Sequence, residues 1–196
     1  MNLSKHLTLE QATKSQTAKV FNIPNVPDEA ALECLRVWGE EIYDPIVERF
    51  GKVPITSAFR SEALNSHPTI GGSKTSSHIK GQAGDLDGDT VGLDNTVLFD
   101  WIRENLVFDQ LIAEYEQNGR PKWVHVSYRE GNNRQQVLIA TKDKKGKTIF
   151  INYTPKAYLI TYRTNRGYTG RYKRRSEVPT VDRQTASDEG INELLL

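Results

Sequence analysis

The stretch SSHIKGQAGDLDGD, residues 76–89, sets His78 seven positions before Asp85 and fills the interval largely with small residues. Gly81, Ala83 and Gly84 let the backbone turn sharply and approach a ligand without a side chain in the way. Taken alone, an H-x6-D pair describes a histidine hydrogen-bonded to a carboxylate as well as it describes two metal ligands. A third residue sharpens the choice. His125 lies in WVHVSY, residues 123–128, between Val124 and Val126, so on a strand its imidazole faces away from those two apolar side chains. Two imidazoles and one carboxylate are the donor set of a catalytic zinc ion, whose fourth position is left to water. The other two of the four histidines have no such setting: His6 lies in the N-terminal lead-in and His67 precedes Pro68 in a loop.

Around this stretch the chain reads as helices first and strands later, which predicts an α+β domain with an antiparallel sheet. Thr8-Leu-Glu-Gln11 is a capping box for a helix running to about Lys19. Leu32, Leu35, Trp38, Ile42, Ile46 and Phe50 recur at helical spacing from Asp28 onward, with Pro45 kinking or restarting the helix. A further amphipathic helix spans Asp94 to Leu106. Strands are expected at Val53–Ser57, Phe108–Tyr115, Lys122–Tyr128, Gln135–Ile139 and Thr148–Ile151, with turns at Asn118-Gly119 and in KDKKGK.

With 196 residues and a net charge of +1, the chain has the length of one domain with appendages, and its overall charge marks it neither as a nucleic-acid binder nor as an acidic protein. The single cysteine, Cys34, excludes an intramolecular disulfide. No stretch is apolar enough for a membrane span, and the first residues lack the apolar core of a signal peptide.

Several ordered motifs resemble the zinc peptidases of the D-alanyl-D-alanine carboxypeptidase family, which includes phage L-alanyl-D-glutamate endolysins and the Hedgehog signalling domain. They are Ser76, His78, Gly81, Ala83 and Asp85 in S-x-H-x-x-G-x-A-x-D, Arg60 in ITSAFRSEALN, and His125 in WVHVSY. NLSKHLTLEQATKSQTA and FDQLIAEY are similar to the phage and bacterial subgroup, and the likeness runs from about Leu7 to about Ile139. The resemblance implies a Hedgehog-like fold with helices packed on one side of the sheet, and a zinc ion bound by His78, Asp85 and His125. It implies hydrolysis of peptide bonds in peptidoglycan stem peptides or cross-links, with a carboxylate as general base beside a metal-activated water.

The family commonly places that glutamate three residues before the last histidine, where this chain has Lys122. A two-residue turn at Asn118-Gly119 sets Glu114 opposite Trp123 and diagonal to His125, and a register two residues different sets it opposite His125; either way it shares a sheet face with His125. Glu114 is therefore the expected base, and Glu116, of the same parity but nearer the turn, the alternative. Arg60 is suited to clamp a substrate carboxylate or a developing oxyanion, or else to a structural ion pair. Ser76 is a substrate hydrogen-bond partner or a turn cap. Asp87 shares a face with Asp85 on a regular strand, where it orients a ligand, or else it enters a polar turn. A non-catalytic cell-wall or partner-binding module on the same fold is the rival reading, and Lys122 is its best argument.

From residue 152 the composition changes. Lys156 to Arg175 holds seven Lys or Arg, four Tyr and no acidic residue. Residues 1–151 are expected to form the peptidase domain and 152–196 a basic extension, partly disordered or a small add-on. Such a tail suits an anionic polymer of the cell envelope better than nucleic acid. Without a signal peptide, a wall-cleaving enzyme would be released to the wall from the cytoplasm or carried on a phage particle.

Overall fold

A computed structural model describes residues 1–116 and 120–154 in full, and the backbone of 160–163 and 169–172. Two compact units divide the chain, Met1–Tyr153 and Thr154–Leu196.

The helices of the first unit follow their caps. Thr8 and Gln11 form the capping box of α1, Leu9–Thr13. The helix stops early because Ser15 caps a new one, α2, Gln16–Val20, accepting the N–H of Ala18. Asp28 caps α3, Glu29–Trp38. Pro45 lacks an N–H and crowds the carbonyl four residues before it, and a π-helical turn, Gly39–Tyr43, links α3 to α4, Asp44–Phe50. After β1, Ile55–Ser57, come the short α5, Glu62–Ser66, and β2, Ala83–Leu86. Helix α6, Asn95–Asn105, starts at Asp94 as expected. It leads into β3, Gln110–Glu114, β4, Trp123–Ser127, β5, Gln136–Lys142, and β6, Thr148–Asn152.

Six strands form one sheet in the order β1-β2-β4-β3-β5-β6. The chain is α+β as expected, but the sheet is mixed rather than antiparallel, because β3 and β5 run parallel. The cause lies in residues 128–135, which carry the chain over the end of β3 so that β5 joins its far edge. Asp109 fastens that crossing: its fully buried carboxylate accepts Nε and Nη2 of Arg134 at 2.6 and 2.8 Å and lies 3.1 Å from Arg129 Nε. Of the two registers open to the hairpin of β3 and β4, it takes the one with Glu114 opposite Trp123 and Ile112 opposite His125. Its turn, Asn118-Gly119, lies outside the described residues.

One face of the sheet takes the helices. Leu86, Leu111, Ala113, Val124, Val126 and Ile139 join Leu35, Trp38, Ile42, Ile46, Leu98, Phe99 and Ile102 in one core. The small residues of the opening motif are explained here. A Cβ on Gly84 would lie 2.3 Å from the Trp38 indole, which donates its Nε1–H to the Val126 carbonyl. Gly81 has φ +69°, and a Cβ there would lie 2.3 Å from the Ala31 carbonyl oxygen. Because side chains alternate, packing Gly84 and Leu86 inward turns Asp85 to the opposite face.

The second unit contributes β7, Ile160–Arg163, and β8, Thr169–Tyr172, paired antiparallel. The rest of the basic segment lies outside the described residues. Among the described residues, no helix is long and apolar enough to cross a membrane.

Candidate metal and catalytic site

The sheet face away from the helices collects the chemistry. Asp85 on β2 pairs with His125 on β4, and Ile112 on β3 follows in the same row. His78 reaches this face from a run of tight turns, in which the N–H groups of Ile79, Lys80 and Gly81 bond the carbonyls of Ser76, Ser77 and His78.

His78 Nδ1 lies 2.6 Å from the Ala58 carbonyl oxygen. A carbonyl only accepts, so Nδ1 carries the proton and Nε2 turns its lone pair inward. That lone pair faces His125 Nδ1 at 3.2 Å and Asp85 Oδ1 at 3.3 Å, and these two atoms are 2.9 Å apart. Zinc bonds of about 2.0–2.1 Å in a tetrahedron set neighbouring donors about 3.3 Å apart, so this triangle and its two-imidazole, one-carboxylate chemistry fit the ion. The side chains are buried, 2% exposed for His78 and 8% for His125. Burial holds the His78 imidazole below the usual histidine range, which favours the neutral ring a metal requires. Burial alone raises the Asp85 carboxyl, but the neighbouring His78 and His125 outweigh it and hold the group well below the usual carboxylate range.

Glu114 projects from β3 on this same face, one row along from the Ile112–His125 pair. Burial pushes its carboxyl up to about 7, helped by the Asp85 charge and opposed by His125, Arg60 and Lys142. Glu116 is differently placed. Strand β3 ends at Glu114, and Tyr115 has φ +49°, so the alternation that carries Glu114 to the site does not extend to residue 116.

Arg60 follows β1, with its N–H bonded to the His78 carbonyl at 3.2 Å. Its guanidinium lies in the field of Asp85 and Glu114, and burial lowers its pKa against both. Its Nε is buried with no hydrogen-bond partner. Ser76 Oγ accepts the N–H of His78 at 3.3 Å, as a turn cap does, and retains its own proton. Asp87 belongs to the polar turn: its carboxylate accepts from Asn95 Nδ2 and the Asp89 N–H, not from a histidine. Lys122 is exposed, and its backbone N–H donates to Glu114 O at 2.9 Å.

Two residues with supporting roles escape a motif-based reading. Asn95, fully buried, accepts the Gly88 N–H and donates to Asp87 and to the Lys122 carbonyl, joining the ends of β2 and β4. Asp109 holds the β4–β5 crossing. An acidic residue inside the apolar run FDQLI was the signal for the second; the first was hidden behind its neighbour Asp94, the obvious helix cap.

A family model described as peptidase M15 matches residues 5–127, more than half of the chain. The chain belongs to the peptidase M15 family. Membership makes this M15 chain a peptide-bond hydrolase of a zinc-dependent kind, and His78, Asp85 and His125 form a cluster able to hold the ion. The matched span reaches from Lys5 to Ser127, through the three candidate ligands and Glu114, and ends before β5. No curated protein matches the chain.

Proposed function

We propose that this M15 chain is a zinc peptidase that hydrolyses peptide bonds in peptidoglycan stem peptides or their cross-links. The observation that carries the proposal is one sheet face holding the His78, Asp85 and His125 donor atoms within 3.3 Å of one another, with Glu114 one row away. A zinc ion bound by the three residues would supply Lewis acidity toward the scissile carbonyl and toward water.

The chain's own groups do the rest. Glu114, one row from His125 on the same face, takes a proton from the attacking water and returns it to the leaving amine. Arg60, whose guanidinium lies in the field of Asp85 and Glu114, offers its planar fork to a substrate carboxylate or the developing oxyanion. Ser76, fixed by the His78 N–H, donates its hydroxyl proton to a substrate carbonyl. Ala58 holds the His78 tautomer that leaves Nε2 free to bind. The tail after Tyr153, basic over Lys156 to Arg175, is proposed to bring the enzyme to an anionic envelope polymer.

The test is digestion of purified peptidoglycan by the recombinant protein, with mass spectrometry of the fragments and metal analysis of the enzyme. New peptide termini together with one zinc per chain support the reading; full activity after exhaustive chelation overturns it. The rival reading, a binding module with Lys122 in place of the usual glutamate, predicts zinc and peptidoglycan binding without new termini.

A further inference from the structure

Beyond Glu114 the site face continues toward the sheet edge. Glu114 pairs with Ala140 on β5, and Ala140 with Phe150 on β6, so Trp123, Glu114, Ala140 and Phe150 form one cross-strand row. Phe150 is 55% exposed although it sits beside the buried apolar cluster Ile112, Leu138 and Ala140. Lys142 lies two residues past Ala140, on the same face and diagonal to Glu114.

Its ammonium is held in place without being neutralised. Lys142 Nζ donates to Thr148 Oγ1 at 2.7 Å and stands 4.9 Å from the centre of the Tyr115 ring. Tyr115 is fixed in turn. Its hydroxyl pairs with Thr148 Oγ1 at 2.9 Å, its ring lies 5.3 Å from that of Trp123, and its N–H donates to the Ala140 carbonyl. The left-handed backbone at Tyr115 brings the ring to this face at the end of β3. Among the described residues Lys142 forms no ion pair. An exposed, positioned ammonium with spare N–H donors, next to an exposed phenyl ring, is complementary to a carboxylate that adjoins an aliphatic segment.

We propose that Lys142, positioned by Thr148 and Tyr115 and flanked by Phe150, is a substrate subsite that takes the carboxylate of an acidic residue adjoining the cleaved bond. The subsite rests on the peptidase reading for its place beside Glu114. Arg60 then engages the substrate on one side of Glu114 and Lys142 on the other, and a peptide with a glutamyl-type residue spans the two.

The probes are the stem tripeptide L-alanyl-γ-D-glutamyl-L-lysine and the same peptide with the glutamyl α-carboxylate amidated. Binding of each to the zinc-loaded full chain is measured by titration calorimetry, with hydrolysis followed in parallel by mass spectrometry. In the unaltered protein, amidation weakens binding about tenfold, the size of one charge-assisted hydrogen bond. In Lys142→Met the two peptides bind within about twofold of each other, and Lys142→Arg restores most of the difference. Equal discrimination in Lys142→Met, no discrimination in the unaltered protein, or no binding of either peptide overturns the proposal. Hydrolysis without this coupling sinks the subsite and leaves the peptidase reading standing. Coupling without hydrolysis of any stem peptide sinks the peptidase reading and leaves Lys142 as a carboxylate-binding site only.

Discussion

Asp85 Oδ1 lies 2.9 Å from His125 Nδ1 because the two residues face each other across the β2–β4 ladder, and this one pairing fixes two of the three candidate metal donors. The third, His78 Nε2, depends on a backbone carbonyl, Ala58, for its tautomer. The set therefore forms only when β1, β2 and β4 are in register. Asp85→Asn and His125→Ala should each abolish stoichiometric zinc in metal analysis while the far-ultraviolet circular dichroism stays that of the native chain. Retention of tightly bound zinc by either variant would show that the ion is held elsewhere.

Glu114→Gln separates chemistry from metal binding. Zinc content should stay at the level of the unaltered protein, whereas kcat on the identified stem-peptide bond should fall by about 10²–10⁴, the usual contribution of a general base. Lys122→Ala, at the position where related enzymes were expected to carry the base, should leave kcat within about twofold, because its backbone, not its ammonium, meets Glu114. Loss of activity in the lysine variant with Glu114→Gln active would reverse the assignment.

The same glutamate gives a pH prediction with a definite sign. Its folded pKa, about 7, lies above its ordinary value of 4.5. Below pH 4.5 the carboxyl is neutral in both states and carries no penalty. As pH rises to 7 the unfolded chain ionises first, and by linkage the folded state loses up to about 3 kcal/mol. After zinc is stripped by chelator, Glu114→Gln should therefore melt higher than the unaltered protein at pH 8, with the gap closing toward pH 4. A gap independent of pH would show that Glu114 is not the buried acid described. In the zinc enzyme the added positive charge can only lower this pKa, so the acid limb of the kcat profile should fall at or below about pH 7.

How much of this was legible in the sequence follows from the kind of interaction involved. That His78, Asp85 and His125 cluster follows from local motifs, and that Glu114 shares their face follows from strand parity, so this placement was readable from short-range pattern. The parallel pairing of β3 and β5 was not. It goes with Asp109 meeting Arg129 and Arg134 across the crossing loop, a long-range contact with no periodicity to announce it. Likewise the first helix breaks at Ser15 because a local cap competes with an otherwise continuous pattern.

Gly84 gives a packing prediction that tests why the candidate metal-binding motif contains small residues. A methyl group at position 84 would meet the Trp38 ring at 2.3 Å, inside a core where both residues are fixed. Gly84→Ala should cost about 1–3 kcal/mol, measured by denaturant melts. In combination with Trp38→Phe, which frees the space of the second ring, the two changes should destabilise by less than the sum of their separate effects. Strict additivity would mean that the glycine is needed for some reason other than the indole.

Asp109 offers the last test, because it links the sheet's parallel pairing to a charge. Its carboxylate is fully buried between strand β3 and the crossing loop, while Arg129 and Arg134 stay partly exposed. Burial alone raises its pKa, but the hydrogen bond from Arg134 and the charges of Arg129 and Arg134 hold the group below the usual carboxylate range. The sign follows: the stabilisation is complete above the unfolded carboxylate pKa near 4 and is lost as pH falls through the lower folded value. Asp109→Asn removes the charge at every pH and leaves two arginines facing a neutral amide. Breaking a fully buried pair costs about 3–5 kcal/mol, and solvent at the arginine ends reduces that to about 2–3 kcal/mol here. The melting temperature of Asp109→Asn should thus lie well below that of the unaltered protein at pH 7, with the gap narrowing as pH falls below the ordinary carboxylate range. Strands β5 and β6 should also lose amide hydrogen-exchange protection before β2 and β4, since Asp109 anchors only the loop that delivers them. Uniform loss of protection across all six strands would show that the crossing is not a separate unit of stability.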